Sequence, residues 1–438
     1  MKKVAFKTLG CRLNQFETDS LVTQFHNAGY AIVDFGEKAD VSIINTCTVT
    51  NSSDQKSRNY INQASGINPD GITVVAGCMA NHKKETLEKQ ENITYVVENE
   101  QKNDIFNLVD SHFKGEIIHP ENLNGDVFGF ETVDKSLHTR TSIKIQDGCD
   151  NFCTFCIIPK VRGRAISRSP LEIVENVKRV IDNGFKEIVL TGVNISRYDY
   201  EGLNFKGIVE NILNIEGDFR VRISSIEPDN FTPDFPEIFH HPKLNPHLHL
   251  CLQSGSDSIL MKMRRMYNVN SFMDIIESFR KEHPDFNFTT DIIVGFPGET
   301  KSDFQQTAKL LRRVKFDMVY IARYSPRAGT ASAKMKDNVS LLEKKGREKE
   351  LTEILQTTAL FNNQKYLHKK ITVLIDEKKY GNLSGKIINN KWFGRTSTFK
   401  KVMIKLAPDH RPTLQIGQWQ LVKITQVTPW GLTGVAIF

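Results

Sequence analysis

The sequence predicts an α/β fold in three parts: an N-terminal doubly wound parallel sheet, a central partial (β/α) barrel of six units, and a small C-terminal antiparallel β-barrel. Three observations predict it. In the first hundred residues the β-rich runs VAFKTLG, VSIINT, ITVVAG and TYVVEN alternate with amphipathic stretches, and such alternation gives an open, mostly parallel sheet. The alternation then restarts on a longer scale through the middle of the chain. From ITVLID onward, short strands punctuated by glycine replace any helical period, the pattern of a small barrel.

Taken in order, NQFETDSLVTQFHNAGY, NSSDQKSRNYINQAS and NHKKETLEKQ are the expected helices of the first part, residues 1–114. Three of its strands run directly into a cysteine: TLGC at Cys11, INTC at Cys47 and VAGC at Cys78. Loops at the carboxyl ends of parallel strands meet on one edge of the sheet, where ligands bind, so three sequence-distant thiols are expected together. Residues near 115–137 lack a sustained period and carry turn residues, the signature of a linker.

Six strands are expected in the second part, residues 135–366: TSIKIQ, KEIVLTGVN, RVRISSIEP, HLHLCLQSGS, FTTDIIVGFPGE and DMVYIARYSP. Helical segments such as SPLEIVENVKRVIDNG separate them. Six βα units make a barrel that stops short of eight, with function expected at the carboxyl ends of its strands. After Pro326 the chain turns polar and helical, a long connecting helix leading to the third part, residues 367–438.

Composition bounds the function classes. No apolar segment follows the two N-terminal lysines, so no secretory leader is expected. The longest apolar runs fall far short of the roughly 18 residues of a membrane span. A cytoplasmic chain without membrane contact is the expectation, and its seven cysteines are then ligands, nucleophiles or core residues rather than disulfides. Residues 1–135 hold 13 Lys+Arg against 19 Asp+Glu, whereas residues 366–438 hold 12 against 3. A small basic terminal domain contacts a polyanion, with nucleic acid the first candidate. Trp392, Phe393 and Phe399 interleave there with Lys391, Arg395, Lys400 and Lys401, a mixture that stacks bases while tracking phosphates.

The densest chemistry is CDNFCTFC, with Cys149, Cys153 and Cys156 following the first barrel strand. A closed zinc site wants four protein ligands, usually two pairs, and no second pair is nearby. Three thiolates instead suit a [4Fe–4S] cube with one iron left open. The absent fourth ligand reads as a substrate-binding position.

These residues resemble the radical S-adenosylmethionine (SAM) superfamily, whose signature is C-x-x-x-C-x-aromatic-C, with Phe155 in the aromatic slot. The resemblance implies that SAM chelates the open iron and is cleaved to a 5′-deoxyadenosyl radical. It further implies SAM contacts from Thr191 and Gly192, from Gln253 and Ser254, and from Asp291 and Gly295 in DIIVGFPGE. Asp291 stands where the superfamily has glycine, and Glu299 falls one residue late. Cys251 is expected as a buried core thiol, and His247 and His249 as structural.

TLGC-x-x-N-Q-x-E-T, NTCTVT and AGCMA together resemble the N-terminal domain of the methylthiotransferase family, which implies a second [4Fe–4S] cluster on Cys11, Cys47 and Cys78. LSGKIINNKWFGRTSTFKKV and GQWQLVKITQVTPWGLTG look like that family's RNA-binding TRAM domain. The resemblance implies a methylthio group placed on an unactivated carbon with two clusters and SAM. The implied partners are a tRNA anticodon stem-loop, an electron donor such as flavodoxin or ferredoxin, and a sulfur source. LGCRLNQFETD is most similar to the branch acting on threonylcarbamoyladenosine. The alternatives are isopentenyladenosine in tRNA, an aspartate of a ribosomal protein, or a non-catalytic RNA-binding iron–sulfur protein. A buried carboxylate requires a cationic partner, and Arg197, Arg264 and Arg323, near barrel strand ends, are candidates.

Overall fold

The computed structural model describes residues 1–116, 118–130, 140–383, 386–406 and 414–438. In the first part, β1 (Lys3–Thr8), β2 (Ala31–Val33), β3 (Val41–Thr46), β4 (Ile72–Gly77) and β5 (Tyr95–Val97) form one sheet in the order β2-β1-β3-β4-β5. Every pairing in it is parallel. Val41, Ile43, Ile44, Val74 and Val75 are buried on both faces, as strands covered by helices on either side must be. Helices α1 (Arg12–Asn27), α2 (Asn51–Ile67), α3 (Cys78–Glu88) and α4 (Ile105–Lys114) supply that cover. β3 and β4 run directly into their cysteines as expected, and β1 ends at Thr8, three residues before Cys11. The sequence reading missed the short β2 and α4, although α4 buries Ile105, Leu108 and Val109 at helical spacing.

Part of the expected linker is packed structure. Phe130 is buried edge-on against Phe16 of α1, and Lys144 donates to the Val127 carbonyl at 2.7 Å. Residues 117 and 131–137 of that linker lie outside the described residues.

The six barrel strands are β6 (Thr141–Lys144), β7 (Glu187–Thr191), β8 (Arg220–Ile223, continuing as Ser225–Ile226), β9 (His247–Leu250), β10 (Asn287–Val294) and β11 (Met318–Arg323). They run parallel in sequence order; β8 pairs with β7 before Ser224 and with β9 after it. Helices α5 (Pro170–Asp182), α6 (Phe205–Leu213), α7 (Val269–Glu282) and α8 (Lys301–Val314) coat the outside. In α5 the buried Ile173, Val177 and Val180 mark one helical stripe. Asn268 and Thr300 close capping boxes on α7 and α8. The barrel stays open between β6 and β11, and α1 packs on β6 beside that opening.

The connecting helix α9 (Leu341–Gln364) lies along β11 and ends at a closed five-stranded barrel. Its strands are β12 (Lys370–Leu383), β13 (Lys386–Arg395), β14 (Lys401–Lys405), β15 (Trp419–Thr428) and β16 (Gly431–Ile437). The barrel departs from the antiparallel expectation at one joint: β14 and β16 pair parallel, and the other four joints are antiparallel. It caps the amino-terminal end of the central barrel. Asn287 donates to the Thr398 carbonyl, Lys400 pairs with Asp317, and Arg220 donates to the Arg395 carbonyl at 3.2 Å. Among the described residues no helix is long and apolar enough to cross a membrane.

Candidate active site

Cys11 caps α1, Cys47 follows β3 and Cys78 opens α3, so all three sit on the carboxyl edge of the N-terminal sheet. They lie within electrostatic reach of one another. Gly10 makes the approach possible. Its φ is +96°, and a Cβ there would sit 2.7 Å from Cys47 Cβ and 2.9 Å from its Sγ. Asn99 Nδ2 lies 3.9 Å from Cys78 Sγ.

Under this trio runs a buried ionic network that joins α1 to the central barrel. Glu17, fully buried, takes Lys102, Lys144 and Arg162, while Asp147 takes Lys144 and Arg162. Burial alone would raise the Glu17 carboxyl, but Arg162, Lys102 and Lys144 outweigh it and hold it well below the usual range. Three cations against two carboxylates leave one positive charge beside the thiols, which favours an anionic group held there.

The second trio occupies the loop after β6, at the carboxyl mouth of the central barrel. Cys149, Cys153 and Cys156 are half-buried and interact with one another. Arg265 donates to Cys153 Sγ at 2.9 Å and pairs with Glu227, and the Asn151 N–H reaches Cys149 Sγ at 3.5 Å. Burial pushes Cys156 up to about 12 and also raises Cys149 and Cys153. A thiol so placed is a poor thiolate unless a cation replaces its proton. All six thiols are free, and N–H donors face the sulfurs, so each trio fits an iron–sulfur cluster with three protein ligands. Asn151 Oδ1 and Asp229 Oδ1, beside Cys149, are buried acceptors without partners, which suits the amino group of SAM.

The other expected SAM contacts occupy different levels. Phe155 packs edge-on against Phe296. Thr191 and Gly192 end β7, and the loop after them is fixed beside Cys149 by Gln146, whose Oε1 accepts from Val193 and Asn194 N–H. Gln253 adopts φ +68° and bridges to Ile292. Ser254 is buried, with its hydroxyl 3.5 Å from that of Thr307. Gly295 (φ +70°) donates to Glu299, which Arg347 of α9 also holds. Asp291 stands lower, where it accepts from His249 Nε2 at 3.0 Å. Cys251 is buried as expected and lies within 4.8 Å of His249 and Asp291 at the ligand atoms.

Below this level a chamber of about 540 Å³ fills the open side of the barrel. All three parts of the chain wall it: Gly10, Cys11 and Arg12 from the first, Arg222, His247, His249, Asn287, Asp291 and Tyr320 from the second, and Arg395, Phe399, Lys401 and Trp430 from the third. Phe399, at φ +64°, is wedged among Arg222, Arg395, Arg140 and His247.

Several sequence expectations are corrected here. Arg197 pairs with Asp229, Arg323 pairs with Glu348, and Arg264 is exposed; none of the three lines the chamber. His247 and His249, expected as structural, line the chamber. Trp392 belongs to the core of the terminal barrel and Lys400 is buried on Asp317, so neither is free to meet RNA. Phe399 is spent on the barrel base. Trp430, 49% exposed on the chamber rim, was missed. Arg12, one residue beyond Cys11, was legible as part of the same motif.

Residues 143–311 match the radical SAM superfamily, and residues 3–98 match a family described as uncharacterized protein family UPF0004. A radical SAM methyltransferase from Kitasatospora setae, TsrM, shares the fold with a TM-score of 0.55 at 14% identity, covering 76% of this chain and 75% of that one. Partial barrel, cysteine loop and family match define a radical SAM enzyme. The threonylcarbamoyladenosine tRNA methylthiotransferase MtaB of Bacillus subtilis is 36% identical, over 97% of this chain and 94% of its own length. MtaB of Aquifex aeolicus is also 36% identical, over 86% and 93%. The tRNA-2-methylthio-N(6)-dimethylallyladenosine synthase of Fusobacterium nucleatum is 34% identical over 99% of both chains. The chain belongs to the radical SAM methylthiotransferase family.

Proposed function

We propose that this protein adds a methylthio group to carbon 2 of threonylcarbamoyladenosine at position 37 of tRNA, beside the anticodon, in the cytoplasm. The observation that carries the reading is the shared chamber. It opens onto Cys11 at one side, is lined by Arg12, Arg222, Arg395 and Lys401, and has the basic terminal barrel as a wall. A base that enters it meets Cys11 of the N-terminal trio and a cationic wall at once. The names of the MtaB relatives support the same substrate.

Cys149, Cys153 and Cys156 would hold one [4Fe–4S] cluster, beside which SAM would bind, and Cys11, Cys47 and Cys78 would hold the other. When bound, these groups supply the one-electron chemistry and the methylthio sulfur that replace an unactivated C–H bond. The polypeptide's part is to seat the groups, to exclude water and to orient the base. Arg265 compensates charge at Cys153, the Glu17 network does so below the N-terminal trio, and Gln146 fixes the Thr191–Asn194 loop. Residues 1–114, 135–366 and 367–438 divide these tasks as sulfur-handling, radical and RNA-binding units. An electron donor such as flavodoxin or ferredoxin and a sulfur source complete the cycle.

The test presents the reconstituted protein with anticodon stem-loops bearing threonylcarbamoyladenosine or isopentenyladenosine and weighs the nucleosides. A mass gain of one methylthio group on the threonylcarbamoyl substrate is expected. Gain on the isopentenyl substrate alone overturns the assignment.

A further inference from the structure

The chamber floor holds polar atoms that the protein leaves unused. Arg222 is 5% exposed, and its Nε and Nη2 have no hydrogen-bond partner. His247 is 2% exposed, and neither ring nitrogen has one. Asn287 commits its Nδ2 to Thr398 and leaves Oδ1 unpartnered. All three residues line the chamber. Buried donors and acceptors are almost always satisfied, so this grouping marks a place where something else completes them.

The charge around them has a definite sign. Burial lowers the pKa of Arg222, Glu187 opposes the shift, and Arg12, Arg140 and Arg395 lower it further. Glu187 serves Arg140, Arg220 and Arg222 together, and Asp376 is taken by Arg395. Four guanidiniums thus share two carboxylates, with Arg12 close by and paired with neither. The Nε and Nη2 edge of Arg222 has only Glu187 Oε1 before its Nε, at 3.9 Å and beyond hydrogen-bond range, so it can still donate to an anion with a planar, two-oxygen end. A neighbouring hydroxyl matches His247 and Asn287 Oδ1.

We propose that Arg222, backed by Arg12 and with His247 and Asn287 at its side, is the specificity-determining anchor for the carboxylate and hydroxyl of the substrate's threonyl group. This rests on the substrate reading given above. A backbone phosphate is the other anion that RNA offers. It would have to bring its flanking riboses to the chamber floor, past Arg12 and Tyr320, into a space of about 540 Å³. An isopentenyl tail would leave every one of these polar atoms unpaired, and a site built to hydrogen-bond its substrate discriminates strongly against an analogue that cannot.

The test is a cycle of two proteins and two ligands, with the full chain holding its clusters. Wild type and Arg222→Met are titrated by fluorescence anisotropy with stem-loops bearing threonylcarbamoyladenosine or its carboxamide, and kcat/KM is measured on both. Wild type should bind and turn over the carboxamide about 100-fold less well, as loss of a charge-assisted bidentate pair predicts. Arg222→Met should lose a similar factor on the carboxylate substrate and less than about threefold on the carboxamide. Arg222→Lys, which keeps the charge and loses the fork, carries the test if the methionine variant is unstable; it should retain the order of preference with a smaller ratio. Equal losses on both ligands, or on an unmodified stem-loop, would place Arg222 on phosphate or in the framework and overturn the proposal. So would a wild type indifferent to the carboxylate. In that case product on threonylcarbamoyladenosine would still stand, whereas product on isopentenyladenosine alone would remove the substrate reading itself.

Discussion

Replacing Glu17 by glutamine should loosen the joint between the N-terminal sheet and the central barrel, and the magnitude follows from who its partners are. Lys102 is fully buried, and Glu17 is its single carboxylate among the described residues. Lys144 and Arg162 keep Asp147 after the change. The substitution therefore strands one buried ammonium, and removing one partner of a buried pair costs about 3–5 kcal/mol. At 1.36 kcal/mol per factor of ten, amides of α1 and β6 should exchange with deuterium at least about 150-fold faster. Amides of α8, on the far side of the barrel, should be unaffected. A second change, Lys102→Met, removes the stranded charge and should bring exchange back to within about fivefold of wild type. Acceleration below about fivefold in Glu17→Gln, or no recovery in the double variant, would show that the network does not bind the two parts together.

Three further outcomes are expected. Alanine at Cys149, Cys153 and Cys156 together should remove about half of roughly eight irons per chain and all SAM cleavage, while alanine at Cys11, Cys47 and Cys78 should remove the other half and leave cleavage measurable; full iron in either variant refutes that trio. Gly10→Ala places a methyl group against Cys47 on a backbone that L-residues rarely adopt, so the N-terminal half of the iron should be lost with SAM cleavage intact, as colorimetric iron and 5′-deoxyadenosine assays report. Neutralising the exposed Lys391, Lys405 and Lys423 of the terminal barrel should flatten the salt dependence of tRNA binding by somewhat under one unit of log–log slope per lysine; an unchanged slope would move the RNA-binding face elsewhere.

Much of the architecture was legible because its signals are local. Alternating apolar residues announce strands, and the six barrel strands follow from runs of four residues or more, whereas the terminal barrel was legible as a class and not strand by strand. The short β2 and the helix α4 were missed because β2 has three residues and, after α4, no strand follows until Thr141. The parallel joint of the terminal barrel depends on how a sheet closes, which periodicity does not encode. Six cysteines were singled out by spacing and by their positions at strand ends. Arg197, Arg264 and Arg323 do not line the chamber, because proximity to a strand end does not say which way a side chain faces. Arg197 and Arg323 found carboxylates of their own.

By itself the sequence determined the kind of most elements, the two sets of three thiols and the basic end of the chain, all of which are properties of residue order. Only the tertiary structure decided what those thiols look onto. Arg12, Arg222 and Arg395 are separated by up to some hundreds of residues and belong to three different parts of the chain. They become one cationic wall because α1 packs on β6, β8 begins at the barrel base, and the terminal barrel docks beneath it. Electrostatic interaction depends on distance in space and on exclusion of water. Neither quantity exists until the chain has folded.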